Sequence, residues 1–499
     1  MSVRSKSNNP LAARQGIVSG SRTYLAACLK NCAIKSVIIL ALAGNRDNGG
    51  GTLNNQGANG NYWSSSVTGI NANNLNFNSG GVNPANNNNR ANGFSVRCVK
   101  DLQTIMKNSD NQQLMLDLFR AYFDARKNKR QTVNALAFEV DYEKKLFALY
   151  DDIVNRKYEI GQSICFVVKK PVRREIFAAD FRDRIVHHLI FNAINPIFEK
   201  NFIKDSYSCR VGKGTSFGIK RVDHFIKSCS ENYQKDCWIL KLDISGYFMS
   251  MNRNILFAKI EKKLTSHFAL DVSRKDELEL LLYLIEKVVF NDPTKNCFVK
   301  GKREDWVGMP KSKSLFCAKA GAGFPIGNLT SQLFGNIYLD NFDHFVHEKL
   351  QVKHYGRYVD DMVFVFEDKE FLKSIIAKVD NFLQGELNLT LHPKKIYLQH
   401  CGKGVAFLGT IIKPRRIYIS QRTKMNFYEK IKKYNAAIAG GKIFNQSELK
   451  DLVAGLNSYL GIMKHYETFK LRKKMLEFLN VAFWKYVSVA GCFEKVGIC

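Results

Sequence analysis

From Tyr355 to Phe366, two short runs of β-forming residues stand on either side of an adjacent acid pair, Asp360-Asp361. Runs of that length and separation predict a β-hairpin with the acids at its turn. Two like charges at one hairpin tip repel each other and are costly to desolvate, so they require bulk water or a cation. A third acid, Asp243, closes the apolar run Trp238-Ile239-Leu240-Lys241-Leu242, which reads as a buried strand. If that strand lies beside the hairpin, three carboxylates converge. Such a cluster can hold two divalent cations about 3.5–4 Å apart, the arrangement that serves in-line phosphoryl transfer. An Asp-Asp pair in a solvated loop is the commoner occurrence, so the pair by itself decides little.

Charge narrows the partners. The 499 residues include 75 Lys or Arg against 45 Asp or Glu, a formal net charge of +30, and a field of that sign favours polyanions. The basic residues are interleaved with Phe and Tyr and do not line one amphipathic helix, which places nucleic acid ahead of an anionic membrane surface. The 12 cysteines include no C-x-x-C pair, so a reducing, cytoplasmic compartment fits better than a disulfide framework or a zinc site. Ser36–Ala43, SVIILALA, has the look of a short signal-peptide core. It is far too short to span a bilayer and is read as non-targeting.

Composition also divides the chain. From Asn45 to Asn92 it is dominated by Asn and Gly, with little to bury, and residues 1–100 are expected to be largely irregular and poorly ordered. After about residue 100 the texture becomes periodic, in a chain whose length gives a prior of about three domains. Asp180 to Phe202 carries Ile185, Leu189 and Ala193 at helical spacing, and Gly327 to Leu350 carries Leu329, Leu333 and Ile337. Asn445-x-x-Glu448 is a capping-box signal opening a helix with Leu449, Leu452 and Leu456. The middle therefore reads as α/β and the tail as helical.

The acids keep particular company. LKLDISGYF, FPIGNLTSQLFGNIYLD, RYVDD, LHPKK and FLG follow one another in order. These segments resemble the ordered blocks of reverse transcriptases, across roughly Lys100 to Tyr486. The resemblance implies an α/β (α+β) right-hand polymerase, with an antiparallel sheet in fingers and palm and a helical thumb. Residues 101–235 would be an N-terminal extension and fingers, 236–415 the palm, and 416–499 the helical thumb and C-terminal tail. It further implies an RNA-directed DNA polymerase acting on template RNA, a primer and dNTPs with two Mg2+ ions, for which Mn2+ is a possible substitute.

Residue roles follow from the same resemblance. Asp243, Asp360 and Asp361 match the metal-holding acids, with the Ile244 carbonyl as an extra ligand. Lys170 and Arg174, with Arg173 nearby, resemble the fingers residues that hold the triphosphate; a solvated basic face is the alternative. Phe248 matches the bulky residue that excludes a ribose 2′-hydroxyl, a role compatible with packing in the core. Gly327 and Ser331 would line the nucleotide site, the glycine allowing close backbone approach. Lys395 matches the lysine that protonates pyrophosphate, although a solvated lysine remains open. Phe407-Leu408-Gly409 resembles the primer-grip hairpin.

Ile326 and Gln332 replace the Gln and Pro usual in the fourth block. With RDRIVHH, DSYSCRVGKGT and SYLGIMKH, they make the chain similar to reverse transcriptases of bacterial diversity-generating retroelements. That kinship implies cDNA synthesis that is error-prone at adenines, a small basic accessory protein and no membrane partner, with Ile326 and Gln332 as template and fidelity residues. The Asn-rich segment then resembles a template repeat read in frame, since Asn codons begin with two adenines whose replacement reaches many side chains without a stop. On that reading the working enzyme starts at Met106 or Met115. The alternatives are a retron-like or group II intron-like reverse transcriptase, and a non-catalytic RNA-binding relative.

Overall fold

In the computed structural model the described residues are 109–127, 129, 132–169 and 172–499, with strand segments between 45 and 89. By internal contacts the chain divides into Met1–Asp117 and Leu118–Cys499. The first unit contains a short antiparallel pair, β1 (Asn45–Arg46) and β2 (Leu53–Asn54). It also contains a three-stranded antiparallel meander, β3 (Gly60–Thr68), β4 (Asn71–Asn78) and β5 (Gly81–Asn89). These strands depart from the largely irregular segment expected of the composition. Consecutive strands of the meander are two residues apart, the spacing of tight hairpins, and Leu75-Asn76-Phe77-Asn78 alternates with strand period.

Helix α1 (Ser109–Arg126) crosses the boundary, and α2 (Val133–Glu139) and α3 (Tyr142–Val154) follow it. The hairpin of β6 (Ser163–Val168) and β7 (Arg174–Ala178) comes next. Helix α4 (Phe181–Glu199) starts where its sequence signal places it, with the Asp180 side chain accepting from the Arg182 amide and Ile185, Leu189 and Ile194 buried. After α5 (Thr215–Cys229), strand β8 (Trp238–Asp243) runs into the single turn α6 (Tyr247–Ser250) and the helices α7 (Arg253–Phe268) and α8 (Lys275–Phe290). Strand β9 (Cys297–Val299) returns parallel to β6, giving a fingers sheet of order β7-β6-β9.

Helix α9 (Leu329–Glu348) is buried around most of its circumference and packs against α4 and α7. The hairpin β10 (His354–Tyr358) and β11 (Asp361–Phe366), helix α10 (Lys369–Leu387) and strand β12 (Tyr397–His400) complete the palm, whose sheet runs β10-β11-β8-β12. Met362 to Val365 are all buried, a continuous apolar run and not an alternating one, because α10 packs against the sheet as well as α5.

The chain continues through β13 (Val405–Phe407), β14 (Thr410–Lys413) and β15 (Arg416–Ile419), then α11 (Gln421–Ala439), α12 (Gln446–Met463) and α13 (Phe469–Glu477). Asn445 and Glu448 form the expected reciprocal capping box at the start of α12. The thumb core gathers Phe427, Ile431, Leu452, Leu456 and Met475. The tail is not purely helical: β16 (Val487–Ala490) and β17 (Lys495–Ile498) pair antiparallel at its end. Val487 and Val496 are buried in the helical core, which a short alternating strand accomplishes where a further helix is not needed.

Candidate active site

Strands β8 and β11 pair from Phe366 opposite Trp238 to Asp361 opposite Asp243. The ladder alone makes Asp243 and Asp361 cross-strand neighbours. Asp360 precedes Asp361 in the two-residue turn Val359-Asp360, so Asp361 opens the second strand instead of lying in the turn. Burial first, and then the Asp243 charge, raise Asp360 to about 6. Burial raises Asp361 to about 6 against the pull of Lys241. Both carboxyls therefore bear the cost of crowding that the sequence anticipates.

Two lysines meet these acids. Lys395 donates to both carboxylate oxygens of Asp243, at 2.8 and 2.9 Å. Lys241, on β8 itself, lies 3.0 Å from Oδ2 of Asp361 and donates to the Ala406 carbonyl at 3.0 Å, with its ammonium 5.9 Å from the Phe407 ring centre. Lys241 thus ties Asp361 to the β13–β14 hairpin. The other oxygen of Asp361, Oδ1, is buried without a hydrogen-bond partner. An orphaned carboxylate oxygen among three acids is a position that a hard divalent cation satisfies, so the donor set fits Mg2+. Among the described residues no three His, Cys, Asp or Glu side chains form a ready-made metal cage. Asp243 and Asp361 are each paired with a lysine ammonium, whose place a cation would take.

The turn itself is held from behind. Arg357 and Asp343 are completely buried and paired at 2.6 Å, with a second contact at 2.8 Å. Arg357 also donates to the Val359 carbonyl at 2.9 Å, while Tyr355 donates to Asp343 at 2.7 Å. Val359 has φ of +58°, a left-handed conformation costly for a β-branched residue. The guanidinium accordingly fixes the backbone that presents Asp360. On the outer edge, Ser206 forms a parallel bridge with Arg357, adding the DSYSCR segment to the sheet.

The remaining expected residues distribute around this centre. Ile244 is buried and bridges Leu391; the bridge uses the Asp243 carbonyl and the Ser245 amide, leaving the Ile244 carbonyl out of it. Phe248 is half-buried on α6, and its carbonyl accepts from the Phe324 amide at 2.8 Å. Gly327 has φ of +132°, and a Cβ there would stand 2.9 Å from Ile176 and 3.0 Å from the Phe177 carbonyl. Its close backbone approach is thus to the fingers strand β7. Ile326 packs on the cluster of Cys165, Phe177, Met249 and Leu315, and its carbonyl accepts from the Phe177 amide at 2.9 Å. Ser331 is buried within α9, whereas Gln332 beside it is exposed.

Arg174 is exposed at the start of β7, and its charge helps lower Asp360. Arg173 turns to the Val307 carbonyl, and Lys170 lies outside the described residues. Phe407 is buried, and Leu408 and Gly409, both with positive φ, make the tight turn between β13 and β14. The structure therefore brings together Asp243, Asp361 and Lys395 with Asp360 next in the turn, places Arg174 within electrostatic reach of Asp360, and leaves Ser331 and Gln332 on separate faces of α9.

Residues 168–412 match the family model described as reverse transcriptase (RNA-dependent DNA polymerase). The chain carries a reverse transcriptase domain. Its fold is the mixed α/β polymerase fold of that family, whose members generally use divalent metal ions. The protein YkfC of Escherichia coli strain K12 is 24% identical over 274 residues, covering 48% of this chain and 64% of that protein. Among solved structures, the telomerase of Candida tropicalis with a TWJ fragment of telomeric RNA aligns over 68% of this chain and 61% of its own, at 13% identity and a TM-score of 0.39. The telomerase of Candida albicans with the same kind of fragment aligns over 67% and 64%, at 11% identity and a TM-score of 0.37. The chain thus spans less than two thirds of the length of these relatives. No helix among the described residues is long and apolar enough to cross a membrane.

Sequence reasoning passed over Lys241, Arg357, Asp343 and Glu175. Three of them carried a signal, since Lys241, Arg357 and Glu175 are charges inside otherwise strand-like runs, WILKLD, HYGRY and REIFA. A charge in a buried strand requires a partner.

Proposed function

We propose that the reverse transcriptase domain of this chain copies template RNA into DNA from a primer and dNTPs. The observation that carries this reading is the cross-strand pairing of Asp243 with Asp361 beside Asp360, with one buried carboxylate oxygen left without a donor. Two Mg2+ ions held by Asp243, Asp360, Asp361 and the Ile244 carbonyl would activate the primer 3′-hydroxyl and neutralise charge on the leaving pyrophosphate. Arg174 would hold the triphosphate, Phe248 would exclude a 2′-hydroxyl, and the β13–β14 hairpin would receive the primer end. Lys395 stands at Asp243, from which a short side-chain movement would deliver a proton to pyrophosphate.

The finer reading is a diversifying enzyme that substitutes bases opposite adenines, working with a small basic accessory protein. It is supported by Ile326 and Gln332, by the RDRIVHH and DSYSCRVGKGT blocks, and by the Asn-rich N-terminal segment. Primer extension by the purified chain on its upstream template RNA, with Mg2+ and dNTPs and the cDNA sequenced, tests both levels. Asp360→Asn is expected to lower extension by roughly 10³-fold, the scale of losing one electrostatic element of such a site. Substitutions concentrated opposite template adenines would support diversification, and faithful product would assign the enzyme to another reverse transcriptase class. Product that persists undiminished in Asp360→Asn would remove the catalytic reading altogether.

A further inference from the structure

Glu175 adjoins Arg174 on β7 and is 1% exposed. Its carboxylate accepts from Trp306 Nε1 at 2.7 Å, Ser314 Oγ at 2.9 Å and the Leu315 amide at 2.6 Å. All three donors are neutral. A buried carboxylate held this way gains less than an apolar side chain of similar size, so stability alone does not account for it. The donors all belong to the long connection between α8 and α9.

That connection is fastened at both ends of the nucleotide site. On the fingers side it has the Glu175 bonds, a Phe177–Phe316 ring contact at 5.4 Å and the bond from Arg173 to the Val307 carbonyl. On the palm side, the Ser312 carbonyl lies 2.7 Å from where a Cβ on Gly246 would stand, just beyond Asp243. There too the Gly323 amide donates to the Met251 carbonyl at 2.9 Å, and the Phe324 amide to that of Phe248 at 2.8 Å. The segment is a strut of set length between β7 and the chain that follows the catalytic strand. Strand alternation puts Glu175 and Phe177 on the face toward Trp306, Ser314 and Phe316 of this strut and Arg174 and Ile176 on the opposite face, where Ile176 abuts Gly327 at the strut's end and the Arg174 charge acts on Asp360.

We infer that Glu175 is a positioning residue: by latching β7 to the strut, it sets the spacing between fingers and palm at which Arg174 meets the incoming triphosphate. The inference rests on the polymerase reading of the site. Removing the latch leaves Arg174 chemically intact but no longer held, which weakens nucleotide capture and spares primer–template binding.

The experiment is steady-state primer extension by the full chain carrying Glu175→Gln, Arg174→Ala or both, beside hydrogen exchange across residues 303–317. Glu175→Gln is expected to raise KM for dNTP about tenfold, with KM for primer–template within about twofold of the parent. It is also expected to speed exchange in the strut and to add nothing on the Arg174→Ala background. Should Glu175→Gln fail to fold, Ser314→Ala removes one donor and carries the same test at about threefold. Additive losses in the double variant overturn the inference, as does a parallel rise in primer–template KM. Faster exchange with an unchanged dNTP KM overturns it too, leaving Glu175 a fold element only. A parent chain that makes no DNA strikes at the polymerase reading and takes the inference with it, while the exchange data still show whether the latch exists.

Discussion

In the palm, Asp243 and Asp361 are neighbours because two strands are hydrogen-bonded along their length; in the fingers, β7, which carries Arg174, is fastened to the α8–α9 connection by a few side-chain contacts, the Glu175 bonds chief among them. A ladder distributes placement over many backbone bonds, none of which depends on side-chain identity. A latch concentrates placement in a few polar atoms whose loss is felt at once. The acids should therefore tolerate substitutions around them better than the basic side of the site does.

The palm has one feature that could break this contrast, the buried Arg357–Asp343 pair behind the turn. Asp343→Asn leaves a buried guanidinium short of its counter-charge and is expected to destabilise the domain by roughly 3–5 kcal/mol, read by urea unfolding. A loss below about 1 kcal/mol would show that the ladder alone holds the turn. On the fingers side, Gly327→Ala places a Cβ against Ile176 and the Phe177 carbonyl in a backbone conformation with φ of +132°. It is expected to cost about 1–3 kcal/mol and to impair dNTP use before primer–template binding. An Ala variant with parental melting and dNTP KM would show that β7 has slack.

The smallest effect concerns the contact between α4 and α9. His187 of α4 is buried against the Thr330 hydroxyl of α9 at 2.8 Å, and burial lowers it to about 3. Between that value and the unfolded value of about 6.5, the unfolded chain binds a proton that the folded chain does not, so stability falls as pH drops below about 6.5. Going from pH 7.5 to 6, the parent is expected to lose about 1 kcal/mol more than His187→Gln, by urea unfolding at each pH. Equal losses would mean that His187 is protonated in place and that the α4–α9 contact yields to it.

The sequence by itself determined the local elements of this protein. The hairpin around Asp360-Asp361, the strand ending at Asp243, the helix carrying Ile185 and Leu189 and the capping box of Asn445 and Glu448 all follow from periodicity and short-range hydrogen bonding, which a linear chain displays. It also indicated, through net charge and the order of its blocks, a polymerase-like site acting on nucleic acid. The meander at Gly60–Asn89 was masked by an Asn/Gly composition that reads as irregular, and β16–β17 by a tail that reads as helical.

Only the tertiary structure decided which cation meets which acid: Lys241 with Asp361, Lys395 with Asp243 and Arg357 with Asp343. It alone joined Glu175 to Trp306, Ser314 and Leu315. Such pairs depend on strand register and on which surfaces pack together. A side chain's partner far along the chain leaves no periodic trace, so the sequence can show that a buried charge needs a counterpart but not which residue supplies it.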